Sequence, residues 1–177
     1  LCAITEPCHA CGMDFTTKAL DPTTWPDFAK LVEAHHGIWG GCWCMGFHAK
    51  GPGWGVSAEV NRAEKEDLVN QGRARAALVY DGEDCIGWCQ FGPPVELPRI
   101  KIAAAYRAAA PAPADWRITC FFTGKSHRGK GVGRAALHGA LDQIAWLGGG
   151  AVEGFPEDTE GRKASPAFLF NGSLAMF

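Results

Sequence analysis

The feature that most constrains this chain runs from Ile118 to Leu147, ITCFFTGKSHRGKGVGRAALHGALDQIAWL: an apolar strand, a basic glycine loop, then an amphipathic helix. A strand feeding a glycine-rich turn that opens a helix gathers several unpaired backbone N–H groups at one point, and the helix dipole adds partial positive charge there. Such a point suits a phosphate or diphosphate. Arg117, Lys125, Arg128, Lys130 and Arg134 all lie between Asp115 and Asp142, with no acidic residue among them. The loop is built for an anion.

The rest of the chain limits what that anion can belong to. With 177 residues the chain has the length of one ordinary domain, and 47% apolar and 20% charged residues describe a globular fold with a sizeable core. A net charge of −2 does not supply the broad basic face that a nucleic-acid backbone needs, so a local ligand is expected and nucleic acid is not. No run approaches the ~18 apolar residues of a membrane span, and no basic region leads into a long apolar stretch at the N-terminus. A cytoplasmic protein without membrane contact is expected. Its eight cysteines are then read as free thiols or metal ligands. Cys85, Cys89 and Cys120 sit in apolar strand-like runs and read as core.

Residues 1–20 show no clear period and read as an irregular arm carrying Cys8 and Cys11, with residues 21–177 as the domain proper. A helix is expected from Thr24 to His36, with Thr24 as N-cap and Pro26 in its first turn, and another from Ser57 to Gln71 with a solvated, charged face. Strands over 74–80 and 85–91 meet at Asp81-Gly82, a hairpin signal. An alanine-rich helix falls within residues 95–114, and a short strand spans Ala151 to Phe155. Between the first two helices lies IWGGCWCMGFHAKGPGWG, too punctuated for a long helix and too aromatic for a solvated linker. Its Trp39, Trp43, Phe47 and Trp54, with Trp88, read mostly as core, and as the pocket roof for an apolar or cationic amine if not. The mixture of hairpin and strand–helix–strand crossover makes an α+β fold with both pairings in one sheet.

Three templates compete for the loop. The dinucleotide pattern G-x-G-x-x-G does not match the register of Gly129, Gly131 and Gly133. The phosphate loop of nucleotide hydrolases matches from Gly124 to Lys130, but Gly131 stands where a serine or threonine must hold magnesium. Arg128-Gly129-Lys130-Gly131-Val132-Gly133 has the form [Q/R]-x-x-G-x-[G/A] between a strand and a helix, and here the chain resembles the GNAT superfamily of acyl-CoA-dependent N-acyltransferases. The element order from about Thr24 to Phe177 resembles it as well.

That resemblance implies a mixed, mostly antiparallel central sheet with splayed middle strands and flanking helices, and acetyl-CoA as cosubstrate. It implies that the backbone of Phe121, Phe122 and Thr123 pairs with the pantetheine arm and that the amides from Arg128 through Gly129, Lys130, Gly131, Val132 and Gly133 to Arg134 hold the diphosphate. The acceptor would be a small-molecule or peptide amine attacking the thioester directly, with Glu153 or Asp115 as base. Phe177 falls where many members place a tyrosine acid, and it has no proton to give. The family closes its sheet with further strands, so a longer chain or a partner copy, as in a homodimer, is expected at that edge. Two other readings stay open: a CoA-binding sensor without turnover, and a zinc module built from Cys8, Cys11, Cys42 and Cys44 with His48.

Overall fold

The computed structural model of the protein describes residues 15–36, 41–49, 57–101, 103–109, 112–161 and 169–177. Five strands run in the order β1 (Thr16–Ala19), β2 (Arg75–Asp81), β3 (Asp84–Gly92), β4 (Trp116–Thr123) and β5 (Val152–Gly154), each beside its neighbour in sequence. The first four are antiparallel and β5 is parallel to β4. Four helices flank them: α1 (Trp25–Glu33), α2 (Ala58–Asn70), α3 (Ala103–Ala109) and α4 (Val132–Trp146). This is the mixed α+β sheet that the element order implies. Among the described residues no helix is long and apolar enough to cross a membrane.

Local chemistry accounts for the element ends. Ser57 caps α2 by accepting from the Val60 N–H at 3.3 Å, and Gly72, at φ +67°, ends it. Thr24 instead turns its hydroxyl back to the Ala19 carbonyl at 2.7 Å, so α1 starts without a side-chain cap and is joined to the end of β1. The Asp81-Gly82 signal yields a tight turn in which Asp81 pairs with Asp84. Alternation along β2 sends Ala76, Leu78 and Tyr80 to one core and Ala77 and Val79 to the other. The first core lies under α1 and residues 41–49, where Trp25, Phe28, Trp43 and Trp88 pack ring on ring; the second lies under α4. Gly87 on β3 permits the closest approach on that side: a Cβ there would lie 2.6 Å from the Phe122 carbonyl and 2.7 Å from Val132.

Three expectations change. The arm is irregular only as far as it can be described: residues 16–19 form the edge strand β1, paired with β2, while residues 1–14, with Cys8 and Cys11, lie outside the described residues. Thr-Thr-Lys-Ala carries no apolar alternation because every side chain of this short strand is exposed. α1 stops at Glu33, three residues short of His36, which turns at φ +54°. α2 is not solvated all round, since Asn61 and Lys65 are buried.

Those two residues hold the 41–49 segment. Asn61 Nδ2 donates to the Gly41 carbonyl at 2.8 Å, and Lys65 Nζ lies 3.2 Å from His48 Nε2 and 2.6 Å from Gln90 Oε1. Gln90 Nε2 reaches the Cys44 carbonyl and Thr119 Oγ1. Burial lowers the pKa of Lys65 to about 7, and burial with the neighbouring Lys65 charge lowers that of His48 to about 2. His48 is therefore neutral in the fold but titrates near 6.5 in the unfolded chain, which binds the extra proton at acid pH. Its contribution is complete above pH 6.5 and is lost as pH falls below it. Urea titrations at pH 7.5 and 5.5 should show a loss of about 1.4 kcal/mol from this group, absent in His48→Gln. An equal pH response in both proteins would show that His48 is not held neutral.

Candidate active site

Beyond Ile118 strands β4 and β5 part. β5 pairs with β4 only from Trp116 to Ile118, whereas β3 follows β4 from Arg117 to Thr123. A bulge sharpens the divergence: Gln90 faces Cys120 and Phe91 faces Ile118, which leaves Thr119 as the extra residue. The outer edge of β4 from Cys120 onward thus borders a cleft instead of a strand. Phe121 donates its N–H across that edge to the Phe170 carbonyl at 2.6 Å, and by strand alternation the Thr123 N–H faces the same way.

A cavity of about 1180 Å³ opens there. Its lining includes Thr123, Lys125, Arg128, Gly129, Gly131, Gly133 and Arg134 around the loop, together with His35 and His36 after α1, Cys42, Cys44, Gly46 and Phe47, Trp88 on β3, and Cys120 to Phe122. Residues 169–176 close a further side.

At the loop end the backbone takes its shape from two glycines, Gly129 at φ +74° and Gly131 at φ +87°. Gly131 is the N-cap of α4 with no side chain closing over the first turn, so the early amides of the helix stay open. Arg128, Lys130 and Arg134 are exposed around them. Within the predicted set, Lys130 and Val132 do not line the cavity, and the Val132 side chain is buried in the α4 core, leaving only its backbone for a ligand.

The two carboxylates expected as bases lie elsewhere. Glu153 sits 2.6 Å from the buried Arg117 guanidinium and accepts from the Tyr106 hydroxyl at 2.8 Å. The Tyr106 and Phe155 rings, edge-on to each other at 5.7 Å, each lie 5.5 Å from the Arg117 guanidinium. Asp115 accepts from the Ala151 N–H at 2.8 Å, tying the start of β4 to that of β5. Neither lines the cavity. The titratable side chains that do, apart from the loop cations, are His35, His36 and Cys42. His35 Nδ1 lies 2.9 Å from the Leu31 carbonyl and so carries the proton, leaving the Nε2 lone pair free to face the Lys125 N–H at 3.4 Å. Its ring stands edge-on to Phe122. The Cys42 thiol is raised by burial and stays protonated.

Two cysteine expectations are corrected. Cys44 and Cys120, read as a metal ligand and a free core thiol, are joined by a disulfide, because residues 41–49 fold back against β4 over 76 positions of sequence. Among the described residues no group of three or more His, Cys, Asp or Glu is gathered for a metal; Cys8 and Cys11, the other half of the expected zinc set, lie outside them. Of the aromatic stretch, Trp43 is core and Phe47 and Trp88 reach the cavity; Trp39 and Trp54 lie outside the described residues. Ahead of Phe177 the chain makes a 3-10 turn at Leu174–Met176.

Residues 44–153, which carry β2, β3, the glycine loop, α4 and the start of β5, match the sequence profile of the acetyltransferase (GNAT) family. The chain belongs to this family. No curated protein sequence is matched significantly. Among solved structures, an aminoglycoside acetyltransferase from an uncultured soil metagenomic sample, in complex with sisomicin, is 9% identical with a TM-score of 0.51, covering 83% of this chain and 80% of its own. The ribosomal-protein-alanine N-acetyltransferase from Brucella melitensis biovar Abortus is 13% identical with a TM-score of 0.47, covering 86% and 94%. A GCN5-related N-acetyltransferase from Ralstonia eutropha is 14% identical with a TM-score of 0.46, covering 86% and 99%. At these identities the likeness concerns the fold.

Within the GNAT frame Glu153 reads as the partner of a buried guanidinium. Replacing it by alanine should cost about 3 kcal/mol in urea denaturation, since Arg117 would be left unpaired. A Glu153→Ala protein of unchanged stability would return this carboxylate to the list of bases.

Proposed function

We propose that the protein is an N-acetyltransferase that moves an acetyl group from acetyl-CoA to an amine by direct attack. The half-open edge of β4, running into an uncapped, cationic helix start, carries this reading. The open amides between Arg128 and Arg134, with the Arg128 and Arg134 guanidinium groups, suit the diphosphate. The edge from Phe121 to Thr123 suits the extended pantetheine arm. Because Phe170 already holds the Phe121 amide, that pairing either starts at Thr123 or replaces the Phe170 bond. The donor supplies the activated acyl group; the chain supplies placement, polarisation of the thioester carbonyl by a backbone N–H, and removal of the amine proton.

Glu153, Asp115 and His35 are the competing proton acceptors. His35 is favoured, because it lines the cavity, with Nε2 accepting only the long Lys125 N–H contact at 3.4 Å, while neither carboxylate lines it and both are held in short bonds. Phe177, whose ring packs against Phe121 at 6.0 Å, offers no proton to the departing thiolate, so water fills that role. Exposed Trp146 and Leu147 at the end of α4, and Val152 on β5, favour a second copy covering this edge, as a mass from light scattering would reveal.

Release of CoA thiol in the presence of an amine panel tests the reaction; binding without turnover on any amine would instead make the protein a sensor. The pair Arg128→Ala and Gly131→Glu should weaken CoA binding by about 100-fold in calorimetry without loss of the folded state. Unchanged affinity would move the diphosphate elsewhere. His35→Gln should lower kcat by about 100-fold, whereas Glu153→Gln and Asp115→Asn should change it by less than about fivefold. The opposite pattern would assign the proton transfer to a carboxylate.

A further inference from the structure

The acceptor end of the cavity is aromatic and carries no carboxylate. Phe47 and Phe170 face each other at 6.1 Å, Trp88 stacks on Phe122 at 4.9 Å, and His35 meets the edge of Phe122 at 5.0 Å. Among the described residues no Asp or Glu lines the cavity. The sequence makes this more than a matter of side-chain placement: residues 41–49, 116–141 and 169–177, which supply most of the described wall, contain no acidic residue at all. Glu33, the acidic residue on α1 nearest the cavity in sequence, is exposed and paired with Arg62 at 3.1 Å. The charges that do face the space are cations, at Lys125, Arg128 and Arg134.

A polycationic acceptor has nothing to bind here. Each ammonium group taken from water needs a carboxylate or several carbonyl partners, and the loop cations repel it. A single amine on an aromatic or aliphatic body fits on both counts. Its body is buried among rings, and its one ammonium group, losing water in apolar surroundings, is displaced towards the neutral form that attacks a thioester. From this we infer that the acceptor is an apolar monoamine, of which an arylalkylamine is the representative, and that polyamines and aminoglycosides are rejected. The inference rests on the acetyl-transfer reading and deepens it.

The test has two arms. Calorimetry first measures acetyl-CoA binding to the full chain. CoA thiol release is then followed with tryptamine and phenethylamine against spermidine and kanamycin. The expected result is acetyl-CoA binding together with a kcat/KM for the arylalkylamines about 100-fold above that for either polycation. Acetyl-CoA binding with a preference for spermidine or kanamycin, or with no turnover of either arylalkylamine, overturns this inference and leaves the donor site standing. Absence of acetyl-CoA binding removes the acetyl-transfer reading and the inference with it. Phe47→Ala, with Phe47→Leu as the milder change, should raise KM for tryptamine by about tenfold and leave KM for acetyl-CoA nearly unchanged. A rise confined to the donor would place the acyl chain, and not the acceptor, against these rings, and would overturn the assignment.

Discussion

Everything functional in this structure depends on β4 being paired to different lengths on its two sides. β3 holds it from Arg117 to Thr123, and β5 lets go after Ile118. A strand edge left open inside a sheet exposes backbone groups that must find partners, and here they border a cleft that also receives the start of α4. The bulge at Thr119 and the Arg117–Glu153 pair sit on the two sides of the parting point. One bends the strand; the other fastens the last rungs of the β4–β5 ladder through two side chains facing each other in register. Asp115, bonded to the Ala151 amide, fastens the same ladder at its beginning. The two carboxylates are thus tied to where the cleft begins.

The elements that make this arrangement were largely legible from the residues. Ser57 and Gly72 bound α2, Asp81-Gly82 turns the hairpin, and the glycine loop opens α4 where the spacing of Gly129 and Gly131 places it. These are local effects, in which a cap or a positive φ is dictated by the residue itself. β1 was not legible because an exposed edge strand of four residues owes its existence to β2, not to its own pattern. Lys65 misled for the opposite reason. On a charged helix it looks like one more solvated lysine, and only the long-range meeting with His48 and Gln90 buries it.

The site divides along the same line. Its loop side is a continuous stretch of chain, so glycine spacing and clustered cations mark it in the sequence as a candidate anion site. Its other end is assembled from the close of α1, residues 42–47, Trp88, β4 and residues 169–176, pieces far apart in sequence. No spacing rule joins His35 to Phe122 or Cys44 to Cys120. A partial signal did exist in the aromatic stretch before α2, but aromatic residues in cores and in pocket walls look alike until the fold sorts them, as it sorts Trp43 from Phe47.

The polarity of the cavity follows from how its two ends are supported. The loop end is backbone and flexible cations open to water, where charge is screened and an anion is met by amides already in place. The aromatic end is anchored from behind by the Lys65–His48–Gln90 cluster, which ties the carbonyl of Cys44 to β3 and confines the polar groups to the side away from the rings. With the Lys65 pKa brought down to about 7 and His48 held neutral, that support carries little charge beneath an apolar wall. Placing a carboxylate there to greet a cationic substrate would also pull Lys65 back towards its charged form and unsettle the network that positions residues 41–49. The lack of acidic groups among the described residues of this wall is therefore coupled to how the wall is held, and the proposed preference for an apolar amine would follow from the scaffold as much as from the surface it presents.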